Sequence, residues 1–164
     1  MFTSLLFMPN DTATKDASVD AINPADIRFS AMNFLARREH SLRELRQKLS
    51  RRYPDTELVE VELRRLVEEK LQSDQRFAEN FLLHRAYRGF GPMKIKSDMR
   101  QRGLSDEDVA LSFKEADIDW AVRAEEVYLK KFGHSVATEL KEKGRRARFM
   151  QYRGFDQDHY LSLL

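Results

Sequence analysis

A unit of about 50 residues recurs along this chain, and each copy carries a short, strongly basic stretch. The clearest match aligns Met99-Arg100-Gln101-Arg102-Gly103-Leu104-Ser105 with Met150-Gln151-Tyr152-Arg153-Gly154-Phe155-Asp156, at an offset of 51 residues. A weaker copy lies 50 residues earlier, where Arg52 aligns with Arg102 and Tyr53-Pro54-Asp55 replaces the glycine turn. Repeats of this period are typical of supersecondary units that stack on their neighbours.

The spacing of apolar residues predicts an all-α fold. Leu42, Leu45 and Leu49 recur at helical spacing, and no segment alternates for long with the period of a strand. We therefore predict about nine helices, arranged as three tandem three-helix repeats that form an elongated, curved array in which each repeat contacts only its neighbours. The predicted organisation is a flexible N-terminal tail over 1–24, then three-helix repeats over 25–72, 73–116 and 117–164.

Start and stop signals place several helix ends. Ser41 with Glu44 matches a capping box that opens the second helix of the first repeat. The third helix of that repeat is predicted to continue to about Leu71. Gly103 and Gly154 are predicted to end the second helices of the next two repeats in the left-handed conformation.

The basic residues are concentrated, although the net charge of the whole chain is only +2. Residues 37–52, 85–102 and 141–153 each carry a net charge of +5 and straddle the second helix of their repeat. Arginine outnumbers lysine there, and its planar fork binds phosphate and carboxylate groups through two hydrogen bonds. The residues predicted to bind a partner are Arg37, Arg38, Arg43, Arg46, Arg51, Arg52, Arg85, Arg88, Lys94, Lys96, Arg100, Arg102, Lys143, Arg145, Arg146, Arg148 and Arg153.

Two interpretations of this charge pattern stay open. Each stretch can be a solvated helix face that balances the acidic third helices, or the three together can form a basic ribbon along the array. A ribbon suits an extended polyanion or a filament with an acidic groove. Aromatic residues among the charges can stack on bases; we expect most of them in the core, with Tyr53 and Tyr152 as the exceptions.

Signatures of catalysis and of metal binding are missing from the sequence. There are no cysteines, and none of the four histidines has a partner at the spacing of metal ligands. Gly89-Phe90-Gly91 is followed by no Gly-Lys-Ser/Thr, so it indicates a turn rather than a phosphate loop. Asp117 and Asp119 precede an apolar helix and are interpreted as helix caps. We therefore predict no catalytic residues, no metal and no cofactor.

The cellular setting follows from the same composition. The short Leu5-Leu6-Phe7-Met8 run cannot span a membrane and has no basic segment before it, so we expect neither a membrane protein nor a secreted one. The absence of cysteine fits a reducing cytoplasm. We predict a cytoplasmic monomer.

Several segments, in this order and at these spacings, resemble the RecX family, which regulates the bacterial RecA recombinase. The resemblance covers residues 25–164. Its segments are His40–Leu49, Ser73–Ala78, Arg88–Pro92, the Ile95, Met99, Arg102, Gly103 and Leu104 series, Asp117–Trp120 and Arg148–Phe155. One departure is that the family usually has a glycine in the turn before Ser73-Asp74, where this chain has Glu69-Lys70-Leu71-Gln72.

The resemblance implies three tandem three-helix repeats and a protein without enzymatic activity. It implies binding in the groove of the RecA filament on single-stranded DNA. It also implies suppression of RecA ATP hydrolysis, of strand exchange and of the coprotease activity behind the SOS response, and thereby regulation of DNA repair and recombination. Weak direct binding to DNA is implied as well.

Two other classes of function remain as alternatives. The first is a direct nucleic-acid-binding protein of helix-turn-helix type, which three-helix units can form. A reader of base sequence needs polar side chains on its recognition helix, whereas the third helices here are acidic, with Glu57, Glu60 and Glu62 in the first repeat and Asp106-Glu107-Asp108 in the second. The second alternative is a scaffold for acidic proteins unrelated to recombination.

Overall fold

The computed structural model describes residues 22–164, which form nine α-helices, a short 3-10 helix and no β-strand. The all-α prediction is therefore confirmed for this range. The predicted tail, residues 1–24, lies almost entirely outside the described residues. The helices are α1 Pro24–Leu35, α2 Leu42–Arg52, α3 Thr56–Glu68, α4 Asp74–Tyr87, α5 Pro92–Gln101, α6 Asp106–Ala116, α7 Trp120–Phe132, α8 Leu140–Arg153 and α9 Gln157–Tyr160, followed by the 3-10 helix Leu161–Leu163.

Buried apolar side chains form three separate clusters, one for each successive group of three helices. Central members are Leu45, Leu49 and Leu63 in the first cluster, Leu82, Ile95 and Met99 in the second, and Tyr128, Met150 and Tyr160 in the third. Trp120 packs against both the second and the third cluster and so joins them. The residue boundaries of the three repeats stay a prediction, because a cluster of side chains does not fix where a folding unit begins.

Side chains at the helix starts satisfy backbone N–H groups that have no partner inside the helix. Ser41 Oγ accepts from the Glu44 N–H at 3.1 Å, and Asp119 Oδ1 accepts from the N–H groups of the second and third residues of α7. The capping box predicted at Ser41 is only half formed. The Glu44 carboxylate turns away from the helix start to pair with Arg38 and Arg102.

The turn after α3 differs from the prediction, because the helix ends at Glu68 rather than near Leu71. Lys70 has φ +57°, in the left-handed region, and the Leu71 N–H bonds to the Leu66 carbonyl at 2.9 Å. The left-handed conformation costs a residue with a Cβ roughly 1–2 kcal/mol of conformational free energy, whereas glycine adopts it freely. Lys70 thus lies in the turn for which the family pattern has a glycine, and the turn keeps its shape without one.

The first contact between repeats joins the end of α5 to the start of α2; we call it the first joint. Ser41 Oγ donates a hydrogen bond to the Arg102 carbonyl at 2.8 Å. The stem of Arg43 covers Gly103 so closely that a Cβ built on that glycine would lie 2.7 Å from Arg43 Cδ. Gly103 itself has φ +84°, as predicted for a left-handed helix cap.

The second joint repeats this arrangement one repeat later, between the end of α8 and the start of α5. The Gly91 N–H donates to the Arg153 carbonyl at 2.8 Å, and the Met93 N–H donates to the Gly154 carbonyl at 3.0 Å. A Cβ on Gly91 would overlap the backbone of Gly154, so the two chain segments can approach this closely only because both residues are glycines.

Both joints therefore place the C-terminal end of a later second helix against the N-terminal end of an earlier one. Carbonyls at the end of the later helix accept from donors at the start of the earlier one, which satisfies carbonyls left unpaired at both joints and, at the second joint, backbone N–H groups as well. The negative end of one helix dipole also meets the positive end of another. The recurring Arg-Gly sequence marks the helix end that enters each joint.

We expect Gly91→Ala to destabilise the fold by about 1–3 kcal/mol, the range typical of overpacked sites. Gly91 has an ordinary φ of −86°, so the loss would come from the close approach of Gly154 and not from backbone strain. Urea denaturation measures it.

The matched control is Gly144→Ala inside α8, where the nearest atom to a new Cβ is Arg148 Nη1 at 3.7 Å. This substitution should raise stability by up to about 1 kcal/mol, the difference in helix propensity. Equal stabilities for the two variants would show that the second joint is not tightly closed.

Candidate partner-binding surface

We call helices α2, α5 and α8, together with the cations that they and their adjoining turns carry, the basic row. The three helices contain 11, 10 and 14 residues, so at about 1.5 Å per residue they measure about 50 Å together. The joints bring the three stretches, which lie far apart in sequence, into succession along one path.

Seven of the seventeen predicted residues are paired with carboxylates of this chain: Arg38, Arg46, Arg85, Arg100, Arg102, Arg145 and Arg146. The pairs differ in how strongly they hold their arginine. Arg100 and Asp106 are 56% and 81% exposed, so this pair contributes little and leaves Arg100 able to change partner. Arg102 reaches Glu44 only at 3.6 Å.

Arg146 has a structural role inside the fold, and its membership of the partner-binding set stays a prediction. The residue is only 6% exposed. Its guanidinium donates to the Tyr128 hydroxyl at 2.7 Å, the Ser135 carbonyl at 2.6 Å and the Glu142 carboxylate at 2.9 Å. It therefore ties α7 and the following loop to α8 and cannot reach a partner without breaking these bonds.

Arg46 and Arg85 also act mainly inside the fold. Arg46 donates two hydrogen bonds to Glu60 and so fixes α2 to α3; this pairing lowers the pKa of Glu60 below its ordinary value. Arg85 pairs with Asp98, joining α4 to α5, and lies 3.9 Å from the centre of the Phe90 ring.

The remaining ten predicted residues make no ion pair with a carboxylate within residues 22–164. They are Arg37, Arg43, Arg51, Arg52, Arg88, Lys94, Lys96, Lys143, Arg148 and Arg153. Most of them are exposed, and each of the three helices or its adjoining turn contributes some. Uncompensated cations in succession are what an anionic partner would meet on this surface.

The two aromatic residues expected at the surface have different positions. Tyr53 is 9% exposed, and its hydroxyl bonds to Ser30 Oγ at 2.7 Å and to the Asp26 carbonyl at 2.9 Å, so the expectation was wrong for this residue. Tyr53 fills the end of the first core, at the position where the other two repeats have the glycine of their Arg-Gly turn. Tyr152 is 78% exposed on α8 and stays available for contacts.

Near the start of α8, the carboxylate of Glu142 is bound by two arginines. Hydrogen bonds from Arg145 and Arg146 lower the pKa of its carboxyl to about 2. Glu142 is therefore ionised at neutral pH, and it offsets part of the basic charge at this end of the row.

Further cations that the sequence analysis did not single out lie on α7. Arg123, Lys130 and Lys131 occur at positions i, i+7 and i+8 and line a cleft together with Arg88 and Arg153. Their helical spacing was visible in the sequence, but the acidic residues between them make α7 nearly neutral overall.

The described part of the chain contains neither a metal-binding cluster nor a membrane-spanning helix. No group of three histidine, cysteine or carboxylate side chains in residues 22–164 is placed to hold a metal ion. None of the helices in that range has the length and apolar character needed to cross a membrane.

His40 lies buried beside the first joint, where its carbonyl accepts from Gln72 Nε2 at 3.2 Å. Its Nδ1 is 3.0 Å from the Arg38 carbonyl, while its Nε2 is buried without a hydrogen-bond partner among the described residues. Burial lowers the pKa of His40 below its ordinary value, and the charges of Arg38 and Lys48 act in the same direction. Burial thus favours the neutral form of the imidazole at this position beside the joint.

Comparison with known proteins gives consistent family matches. Family models described as the second and the third three-helix domain of RecX match residues 73–111 and 117–159. The chain is 42% identical to the regulatory protein RecX of Pseudomonas syringae pathovar tomato over 82% of its length and 87% of that protein. It is 40% identical to the regulatory protein RecX of Pseudomonas fluorescens over 84% and 89% of the two lengths.

Solved structures share the fold. A crystal structure of a regulatory protein RecX superposes with a TM-score of 0.68 at 20% identity, over 84% of this chain and 71% of the other. The crystal structure of RecX from Lactobacillus salivarius gives a TM-score of 0.68 at 16% identity, over 85% and 92%.

We expect Arg146→Met to lower the melting temperature by several degrees or more, because it leaves the Tyr128 hydroxyl and the Ser135 carbonyl without their donor. Arg148→Met, two residues away on the exposed side of α8, should melt close to the wild type. Circular dichroism during heating measures both. Equal melting temperatures would contradict the structural role of Arg146.

Acid should weaken the first joint through His40. Because folding lowers the pKa of this residue, the unfolded state binds the proton more readily, and stability is lost as pH falls below about 6.5. We expect the fall in denaturation midpoint from about pH 7.5 to about pH 5.5 to be smaller in His40→Asn than in the wild type. The exposed His134→Asn is the control and should behave as the wild type; an unchanged pH dependence in His40→Asn would contradict this assignment.

Proposed function

Because the chain belongs to the RecX family, we propose that it is a non-enzymatic regulator that binds the RecA filament on single-stranded DNA and inhibits it. The activities restrained are ATP hydrolysis, strand exchange and the coprotease function that leads to the SOS response. It acts in the cytoplasm as a monomer, and its effect is on DNA repair and recombination. Regulatory proteins named RecX are the relatives on which this proposal draws.

The observation that carries the proposal is the continuity of the basic row. Ten cations that pair with no carboxylate within residues 22–164 lie on or beside helices that meet at their ends and whose lengths sum to about 50 Å. A filament presents the same subunit surface again and again, with a nucleic acid strand running along it. A row of this length suits contact with more than one subunit and with the anionic groove between them.

Inhibition follows from holding neighbouring subunits together. ATP turnover in a filament requires its subunits to change their relative positions, and a ligand that prefers one arrangement shifts the equilibrium towards it. A row bound along the groove also occupies the path that duplex DNA or a cleavable repressor needs. The contacts of the row with the anionic groove are between opposite charges, which salt screens, so inhibition should weaken as salt rises.

The alternative is sequence-specific binding to duplex DNA through a helix-turn-helix. The observation that bears on it is the start of α6, where Ser105 caps a first turn made of Asp106, Glu107 and Asp108. A recognition helix approaches the major groove with its N-terminal residues, and three carboxylates there would be repelled by the phosphates. This arrangement favours the filament over the duplex as the partner.

The test is RecA ATP hydrolysis on single-stranded DNA as the protein is titrated. The row variant Arg51→Glu, Arg100→Glu, Arg148→Glu changes one exposed arginine on each helix of the basic row. We expect it to need about tenfold more protein or more for half inhibition, since like charges would then face each other across the contact.

The matched control variant is Arg64→Glu, Lys70→Glu, Lys114→Glu, which changes the net charge equally at exposed positions away from the row. It should inhibit as the wild type does, and wild-type inhibition should fall between about 50 and about 200 mM salt. Full inhibition by the row variant would overturn the proposed role of the row. An unchanged rate of hydrolysis with the wild-type protein on an intact filament would overturn the function itself.

A further inference from the structure

A cleft of about 660 Å³ opens beside the second joint, away from the contacts that close it. The end of α4, one face of α7 and the end of α8 form its walls. Gly89 at the end of α4 lets α7 come close, since a Cβ there would lie 3.0 Å from Val127 Cγ2. Pockets of about 300–1,000 Å³ are typical of sites for small ligands, so one or two nucleotides of a longer strand fit.

The charge of this cleft is strongly positive. Five cations line it, Arg88, Arg123, Lys130, Lys131 and Arg153, against one carboxylate, that of Glu126. Glu126 pairs with Arg123 at 2.8 Å, and within residues 22–164 the other four cations pair with no carboxylate. A cleft with a formal charge of +4 concentrates anions.

Aromatic rings lie between these cations. The Tyr87 ring is 70% exposed, and the Arg123 guanidinium lies 4.4 Å from its centre. The Arg153 guanidinium lies 5.3 Å from the centres of both Phe90 and Phe149, so its charge is held at the wall of the cleft by two rings. An exposed tyrosine among cations has the features of a stacking platform for a base whose phosphates are bound alongside.

We propose that this cleft binds a short segment of single-stranded nucleic acid, with a base on Tyr87 and phosphates on Arg153, Lys130 and Lys131. An acidic peptide would use the charges but would gain nothing specific from Tyr87. A duplex keeps its bases stacked on one another, so no base face is available to the ring. The resemblance implies weak direct binding to DNA; the inference adds a defined site for a bare strand, with a stacking residue, that requires no RecA.

The first test is fluorescence anisotropy of a labelled oligothymidylate, titrated with the full-length protein in the absence of RecA. Tyr87→Ser should weaken binding by about 5- to 150-fold, the range expected for losing one base–aromatic stack. Its control is Phe29→Ser, at an aromatic ring of nearly equal exposure on α1 that lies outside the cleft and outside the basic row. The control should bind as the wild type does.

The second test separates phosphate contacts from stacking. Lys130→Glu, Lys131→Glu should reduce the slope of log affinity against log salt by about 1.4, since a single strand contributes about 0.7 for each phosphate contact. The control for this change of charge is Arg64→Glu, Lys114→Glu, at exposed positions outside the cleft.

Three results would overturn the site. The first is that Tyr87→Ser binds the strand as the wild type does, and the second is that the cleft variants and their controls lose equal affinity. The third is that polyglutamate displaces the strand, that this displacement requires Lys130 and Lys131, and that Tyr87→Ser leaves it unchanged. The last result would identify an acidic protein as the ligand. Failure here is distinct from failure of the proposed function, because the row variant keeps the cleft intact and is assayed on the RecA filament.

Discussion

The hydrogen bonds between the ends of successive second helices are the interaction on which the rest of the structure depends. Each repeat has its own small core, and apart from Trp120 the described cores share few apolar contacts. Backbone carbonyls of Arg102, Arg153 and Gly154 instead accept from donors at the next helix start. Since these carbonyls have no partner within their own helices, separating the repeats would leave them to water.

The joints also account for the position of the charges. A basic stretch on one three-helix unit would be an ordinary solvated face, but the end-to-end contact places three such stretches on one path. Arginines that stabilise single repeats, such as Arg46 and Arg146, lie in the same stretches as arginines that pair with no carboxylate within residues 22–164. The sequence pattern alone does not separate these two groups, because both have the same residue type and helical spacing.

Much of the fold was predictable for physical reasons. Helical periodicity, N-cap side chains and the two Arg-Gly helix ends depend on local interactions, and the helices occur where these signals place them except at the end of α3, which lies at Glu68 rather than near Leu71. The errors lie where distant residues compete for the same group. Glu44 leaves its capping box for Arg38 and Arg102, and Tyr53 is drawn into the core by hydrogen bonds to residues of α1. The cationic cleft brings together the ends of α4 and α8 and one face of α7, from two repeats, which no single stretch of sequence reveals.

The most direct test of the account is the distance between α2 and α8 in solution. The chain contains no cysteine, so Ser50→Cys and Gln151→Cys, both at exposed positions, allow two spin labels to be attached. The labels lie on α2 and α8, the helices that meet the two ends of α5. Double electron–electron resonance should give one narrow distribution of distances between the labels, both in the free protein and on the RecA filament. The mean distance should exceed about 15 Å, the length of α5 alone. A broad or multiple distribution in the free protein would show that the repeats move independently and that no continuous row exists before binding.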